Sequence, residues 1–358
     1  VTIAVVAAGT GGHVYPALAI GEALVERGMS RGQVVFFGGD RLEATAVPAA
    51  GFPFVSFALV RLERSLTPRN LRIPFVLRRT AAAMAAELVS RNTKVVLGMG
   101  GYATVPAALA VKRCDIPLFL QEQNAAPGLA TRFAARRAEA TFLGLPGAAE
   151  ALPRSILTGN PLRPELGSFD RERLRREAMD RYGIGSESVV LGVSGGSLGA
   201  RVLNESVAAL VQRYGGGPLT VLHLTGREAA PAMVRRAETS PLPWLCLPFE
   251  ERMDLFYAAV DLLLCRAGAM TVSEVAATRT AAVLVPLERV GQHHNAAALE
   301  NAGAARVVRQ AELPRLPEIV EELLGNPGLR AEMAAATEKV ARPHAASVIA
   351  AHLLEAAA

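Results

Sequence analysis

Residues 2–28 read TIAVVAAGTGGHVYPALAIGEALVERG. The stretch opens on a short β-branched apolar run, Thr2 to Ala8, turns through Gly9-Thr10-Gly11-Gly12, and continues as a helical window from Tyr15 to Arg27 that Gly28 closes. A buried strand, a tight glycine turn and a helix ending on glycine form the first step of a parallel α/β unit. The same order returns at residues 188–217, SVVLGVSGGSLGARVLNESVAALVQRYGGG. There Ser188 to Val193 is the strand, Ser194 to Gly199 the turn, and Ala200 to Tyr214 the helix ahead of Gly215 to Gly217. Each half of the chain therefore starts like a nucleotide-binding domain.

Working outward, strand-like runs at Val34 to Phe37, Val95 to Leu97, Leu118 to Leu120, Leu219 to Leu222, Leu262 to Leu264 and Ala282 to Val285 alternate with helical windows. That alternation predicts two parallel, doubly wound sheets. Thr158-Gly159-Asn160-Pro161-Leu162-Arg163-Pro164 breaks both helix and strand and is the expected linker. The predicted domains are 1–162 and 163–342, with a final helix inside 343–358 returning to the first. A chain of 358 residues also exceeds what one hydrophobic core comfortably holds.

Composition narrows the class. Half the residues are hydrophobic but only 5% aromatic, the Ala, Val and Leu mixture that buried strands and amphipathic helices need. The formal charge of +5 is carried almost wholly by arginine, which suits phosphate or carboxylate ligands. Stacking aromatics and a helix-turn-helix pattern are both missing, so nucleic acid ranks low. Cys114, Cys246 and Cys265 are widely spaced and lack metal-ligand spacing, so neither a disulfide framework nor a zinc site is expected, and a reducing compartment is. Residues 1–21 read as a strand broken by glycines rather than a signal peptide, and Val95 to Val111 is too short and too polar to span a bilayer.

Three glycine turns are candidate phosphate sites: Gly9 to Gly12, Gly98-Met99-Gly100-Gly101-Tyr102, and Gly195 to Gly199. At a strand–helix turn glycine lets backbone approach a ligand, and unpaired N–H groups face an anion. None is a P-loop or a dinucleotide fingerprint. Asp40, after Gly38-Gly39, reads as a turn residue. His13 follows the first turn, where the positive helix end favours a neutral imidazole fit for general-base work. His293-His294 lacks the spacing of a metal pair and reads as rim. Glu274 is open between two roles: a ribose-binding carboxylate, or the fourth residue of a Thr271-x-x-Glu274 capping box.

Taken together, the segments Gly9-Thr10-Gly11-Gly12-His13-x-x-Pro16, Gly98 to Tyr102, Glu122-Gln123-Asn124, Gly159-Asn160-Pro161-x-Arg163, Gly195-Gly196-Ser197-x-Gly199-Ala200-Arg201, Gly268-Ala269-x-Thr271-x-x-Glu274 and Gln292-x-x-Asn295-Ala296 resemble the MurG family nearly end to end. The resemblance implies a GT-B architecture, two Rossmann-like domains facing a cleft. It also implies a cofactor-free, metal-free inverting transfer of N-acetylglucosamine from UDP-GlcNAc to the 4-hydroxyl of an undecaprenyl-linked muramoyl-pentapeptide. The absence of any Asp-x-Asp agrees with it. By similarity, donor contacts fall on Thr10, Gly11, Gly12, Asn124, Arg163, Ser197, Phe249, Ala269, Met270, Thr271, Val272, Ser273, Glu274 and Gln292, with Glu274 on the ribose. Acceptor contacts fall on Gly9, Gly100, Gly101, Tyr102 and Glu122, and the glycines of the first two turns, Gly11 and Gly12 among them, are also expected to face the acceptor pyrophosphate. His13 is the implied base and Glu122 its rival. The chain departs from the family pattern at Gln121, Thr104, Val105 and Gly291, where His, Ser, Gly and a polar residue are expected.

Between Arg61 and Arg79 six arginines and one acid interleave with leucines, Ile73, Phe75 and Val76. Arg69, Arg72, Ile73, Phe75, Val76 and Arg79 are the candidate membrane patch, placing the protein peripherally at the cytoplasmic face against anionic lipid. The competing reading is an amphipathic helix packed inward. The rival functions are a UDP-GlcNAc 2-epimerase of the same architecture and a non-catalytic nucleotide-sugar binding protein.

Overall fold

The structure, a computed structural model, describes residues 1–59, 73–196 and 199–358. It divides into one unit of Val1–Arg163 with Pro343–Ala358 and a second of Pro164–Arg342.

The first unit runs β1 (Thr2–Val6), α1 (Gly11–Glu26), β2 (Val34–Gly38), α2 (Leu42–Ala49), β3 (Phe54–Ser56), α3 (Ile73–Ser90), β4 (Thr93–Gly98), α4 (Thr104–Cys114), β5 (Leu118–Glu122), α5 (Leu129–Ala135), β6 (Ala140–Leu143) and β7 (Ser155–Leu157). The second runs α6 (Pro164–Gly167), α7 (Arg171–Tyr182), β8 (Val189–Ser194), α8 (Arg201–Arg213), β9 (Leu219–Leu224), α9 (Ala230–Glu238), β10 (Trp244–Leu247), α10 (Met253–Ala259), β11 (Leu262–Cys265) and α11 (Ala269–Ala277). It ends with β12 (Ala282–Leu284), α12 (Gln292–Ala302), β13 (Ala305–Val307), α13 (Leu316–Leu324) and α14 (Pro327–Ala336). A last helix, α15 (Ala345–Ala357), belongs to the first unit, where Ile349, Ala350 and Leu353 join the core beneath α1.

All described strand pairs are parallel, in the orders β3-β2-β1-β4-β5-β6-β7 and β10-β9-β8-β11-β12-β13. Parallel strands are covered on both faces, which is why β1 is a continuous apolar run with Ile3 to Val6 fully buried rather than an alternating one. In the first unit separate clusters cover the two faces, one under α3 and α4, the other under α1 and α15. Strand order reverses between β1 and β4 in one sheet and between β8 and β11 in the other. In an open α/β sheet that reversal splays the loops at the carboxyl ends apart and leaves a crevice for ligand.

Two local readings are corrected. Helix α1 begins at Gly11, not Tyr15, because Thr10 is extended (φ −110°, ψ 163°) and serves as N-cap while both glycines enter the first turn. Helix α11 begins at Ala269 with Gly268 as N-cap, so Thr271 is already inside the helix and no capping box with Glu274 forms.

Candidate active site

In the first unit, Val6 of β1 pairs with Gly98 of β4, bringing the first two glycine turns side by side at the reversal point. Gly9 has φ +106°, and a β-carbon there would lie 3.5 Å from the Tyr102 ring. Its N–H does not await an anion, as the sequence reading expects, because it donates to Glu43 Oε2 at 3.0 Å. The amides of Gly11 and Gly12, in the first turn of α1, have no acceptor among the described residues. Gly100 and Gly101 have φ +78° and +68°, and Thr104 donates its hydroxyl to Gly100 O at 2.7 Å. Val105 lies in the first turn of α4, beyond this glycine turn.

His13 stands between the two turns. Nδ1 is 3.4 Å from Thr10 Oγ1, and a β-carbon on Gly101 would lie 3.5 Å from Nε2. The imidazole pKa is lowered from 6.5 chiefly by burial, with Glu122 and Glu43 pulling it the other way. Burial, and not only the helix end, keeps the ring neutral.

Glu122 closes β5 and is itself buried. Oε1 accepts from the Asn124 amide (3.1 Å) and side chain (3.2 Å), and Oε2 from the Gly128 amide (3.2 Å). Both oxygens therefore serve their own loop, which leaves Glu122 poorly placed to take a proton. Behind it, Gln121 donates to Asn160 Oδ1 (2.9 Å), Gln123 donates to Met99 O (3.0 Å) and to Gln121 Oε1, and Asn160 donates to Gln123 O (3.1 Å). These buried amides tie the second glycine turn, β5 and the linker together, and they absorb the departure at Gln121. Arg163 stacks 4.4 Å above the Tyr15 ring.

In the second unit, Ser194 of β8 pairs with Cys265 of β11. Gly196 and Gly199 have φ +82° and +72°, and a β-carbon on Gly199 would meet Thr225 O at 2.3 Å. Ser197, a residue expected at the donor, lies outside the described residues. The start of α11 is braced by Asn295, which donates to Ala267 O at 3.2 Å, and by Arg266, which donates to Val285 O at 3.0 Å. Gln292 accepts from the Leu287 amide, and its Nε2 is 4.0 Å from where a β-carbon on Gly268 would sit.

Glu274 Oε2 accepts from the Tyr257 hydroxyl at 3.0 Å. Met270, Thr271, Ser273 and Glu274 are half-buried, and Ala269 is buried. Val272 is corrected: its side chain is fully buried and its amide bonds Gly268 O at 2.9 Å, so neither is available to a ligand. Phe249 is 38% exposed, with Arg227 5.5 Å above its ring.

Histidines elsewhere serve other ends. His223 is buried between Asn204 (3.0 Å) and Trp244 (3.4 Å), and burial pushes its pKa down to about 3. His293 and His294 are exposed and touch each other. Sequence reasoning missed Glu43, Tyr15 and Tyr257; the only signal for Glu43 was an acid shortly after the Gly38-Gly39 pair.

Of the candidate membrane patch, Arg69 and Arg72 lie outside the described residues. Ile73 is corrected: it is 7% exposed, because it opens α3 on the core-facing side. Phe75, by contrast, is 74% exposed, Arg79 is exposed and Val76 half-buried. Among the described residues no helix is long and apolar enough to cross a membrane.

The glycosyltransferase family 28 N-terminal domain matches residues 3–143 and the family's C-terminal domain matches 190–349. The chain is 39% identical over 335 residues to the UDP-N-acetylglucosamine–N-acetylmuramyl-(pentapeptide) pyrophosphoryl-undecaprenol N-acetylglucosamine transferase of Acidothermus cellulolyticus, covering 91% of this chain and 90% of the relative. It is 37% identical over 355 residues to the Aeromonas hydrophila protein of the same name, covering 98% and 95%. The crystal structure of Acinetobacter baumannii MurG superimposes with a TM-score of 0.78 at 27% identity, covering 99% of this chain and all of that one. With both family domains matched in order and these relatives aligned nearly end to end, the chain belongs to glycosyltransferase family 28 and, within it, to the MurG family of GT-B enzymes.

Proposed function

We propose that the chain transfers N-acetylglucosamine from UDP-GlcNAc to the 4-hydroxyl of the muramoyl sugar of an undecaprenyl-pyrophosphoryl muramoyl-pentapeptide. The observation that carries this reading is the near full-length likeness to transferases of that name, joined to a glycine turn at the strand-order reversal of each sheet.

The second unit is assigned the donor. The start of α11, beside the glycine turn that follows β8, is assigned its diphosphate, since helix N-termini favour negative charge. Glu274, held by the Tyr257 hydroxyl on Oε2, is assigned the ribose, since a carboxylate accepts several hydrogen bonds at once. The first unit is assigned the acceptor, with the Gly11 and Gly12 amides and the Gly100-Gly101 turn toward its pyrophosphate. His13 is assigned the base rather than Glu122, whose oxygens are spent on its own loop. With Nδ1–H donated to Thr10 Oγ1, Nε2 is free to take the proton. The 4-hydroxyl oxygen attacks the anomeric carbon, the bond to the diphosphate oxygen breaks with inversion, the electron pair leaves on UDP, and the proton ends on Nε2. The helix-end amides at the start of α11 stabilise the departing charge. The exposed Phe75 and Arg79 face anionic lipid, giving a polyprenyl acceptor access from a peripheral position at the cytoplasmic face.

Incubation of the protein with UDP-GlcNAc tests the reading. UDP release that requires the muramoyl-pyrophosphoryl lipid supports it. Formation of ManNAc without acceptor would indicate a 2-epimerase, and binding without turnover a carrier.

A further inference from the structure

The first unit contains a buried carboxylate that no step above uses. Glu43, in the first turn of α2, is fully buried, and no cation pairs with it among the described residues. Its oxygens are divided between two turns: Oε2 accepts from the Gly9 amide at 3.0 Å and Oε1 from the Gly39 amide at 2.9 Å. Gly9 belongs to the turn after β1 and Gly39 to the turn after β2, so one side chain joins the ends of two neighbouring strands. Space for it depends on Gly38, where a β-carbon would lie 2.6 Å from Glu43 Cγ and 2.8 Å from Ala7 O. A carboxylate early in a helix is often only a local cap. This one reaches past its own helix to amides outside it, and burying a carboxylate is costly unless its hydrogen bonds repay the loss of water.

We propose that Glu43 is a positioning residue for the transfer: by holding the Gly9 and Gly39 amides it fixes the turn that presents His13 and withholds Gly9 from the amides offered to the acceptor. The proposal rests on the assignment of His13 as base. Gly9 sits four residues before His13, and its φ of +106° leaves the turn few alternatives once its N–H is tied. The charged groups acting on the imidazole are Glu43 from α2 and Glu122 from the end of β5, both favouring the protonated ring against the opposing effect of burial. Tyr102 lies beside Gly9, and Tyr15, with Arg163 over its ring, lies beside Gly11. Glu43 thus restores basicity to a histidine that burial makes a weaker base, while holding it in place.

The experiment measures two properties of Glu43→Gln in the full chain. One is the titration of the His13 imidazole by NMR, assigned with His13→Gln; the other is steady-state transfer. Removing the charge and one acceptor is expected to move the His13 midpoint to lower pH. It should also lower kcat about 10- to 100-fold, the scale of a misplaced reacting group, with KM for UDP-GlcNAc changed less than about twofold. An unmoved midpoint, or a kcat within about twofold of wild type, overturns the proposal. Should Glu43→Gln fail to fold, Glu43→Asp keeps the charge and the helix-start preference but is too short to span both amides. Its kcat should fall while the His13 midpoint stays near that of the parent, and full activity in Glu43→Asp overturns the proposal. Near-normal turnover of His13→Ala would remove the base assignment instead, a result read separately from the NMR midpoint.

Discussion

The donor turn allows two effects usually mixed in a glycine substitution to be separated. Gly196 and Gly199 both have left-handed backbone, φ +82° and +72°, but a β-carbon on Gly196 would meet nothing within 4 Å, whereas one on Gly199 would lie 2.3 Å from the Thr225 carbonyl oxygen. Gly196→Ala therefore carries only the left-handed penalty, about 1–2 kcal/mol, partly offset by about 0.4–1 kcal/mol of lost unfolded-state entropy. Gly199→Ala carries the same terms plus an overlap of about 1 Å with backbone that cannot rotate away, an overpacking cost of about 1–3 kcal/mol. At about 2–4 °C per kcal/mol for a domain of this size, Gly196→Ala should lower Tm by a few degrees and Gly199→Ala by several more. If the turn holds the diphosphate, relieving that overlap moves its amides, and UDP affinity should fall about 10- to 100-fold in Gly199→Ala, the scale of losing one hydrogen bond to a charged group. In Gly196→Ala it should change much less. Differential scanning calorimetry and titration calorimetry with UDP read the two quantities. Equal Tm and equal UDP affinity in the two variants would refute the steric argument. A large Tm loss in Gly199→Ala with unchanged UDP affinity would refute the placement of the donor.

Three further outcomes are expected. Because burial lowers the His13 pKa, the acid limb of kcat/KM should have its midpoint below 6.5: above it the neutral base is present, and below it the ring is protonated and activity is lost. A midpoint above 6.5 in a pH–rate series would contradict this. Glu274→Ala should weaken UDP-GlcNAc binding and abolish any preference over the 2′-deoxyribose donor, while Tyr257→Phe, which removes the hydroxyl bonding Glu274, should weaken it by about tenfold or less; competition binding with both donors checks it. Phe75→Glu should reduce retention on anionic vesicles at low salt with Tm changed by less than about 2 °C, since the ring is 74% exposed; unchanged retention would exclude Phe75 from lipid contact.

The fold was legible where the physics is local and repeated. A parallel strand buried on both faces has to be a run of β-branched and aliphatic residues, and the runs at Ile3 to Val6, Val190 to Val193 and Leu262 to Leu264 could be read without structure. Five strands escaped notice, all short; one of them, β6 (Ala140–Leu143), is buried inside its sheet but is only four residues long and is interrupted by Thr141. β3 (Phe54–Ser56) and β7 (Ser155–Leu157) are only partly covered, and neither has enough apolar residues to stand out from a loop. β10 (Trp244–Leu247) sits at one edge of its sheet and β13 (Ala305–Val307) at the other, where a single neighbour suffices and a polar residue such as Arg306 is tolerated. Helix starts were misplaced for a related reason. Glycine reads as a breaker, yet Gly11 and Gly12 enter α1 because Thr10 takes the extended N-cap geometry, and Gly268 caps α11 before Thr271 is reached.

The site was legible in its backbone and much less so in its side-chain partnerships. Turns that need left-handed residues announce themselves as glycine, so Gly9, Gly100, Gly101 and Gly199 could be found by spacing. What each turn's amides bond cannot be read that way, because the partner comes from another element. Gly9 looked like a free donor until Glu43, 34 residues away, was seen to occupy it. The same holds for Glu122 and Glu274. As letters in a motif both are carboxylates near a ligand, but Glu122 accepts from amides of its own loop while Glu274 accepts from the Tyr257 hydroxyl on another helix, partners that spacing does not reveal. Carboxylates in a site meant for diphosphates are in themselves unfavourable, since like charges repel across a poorly screened interior. Glu43 and Glu122 are tolerated there because backbone N–H groups meet them, and their charge acts on His13, the group proposed as the base. An anion-binding turn and a proton-accepting histidine, the two roles proposed for this site, make opposite electrostatic demands; buried acids held by backbone amides, with the Gly11 and Gly12 amides left in the first turn of α1, are an arrangement that would meet both.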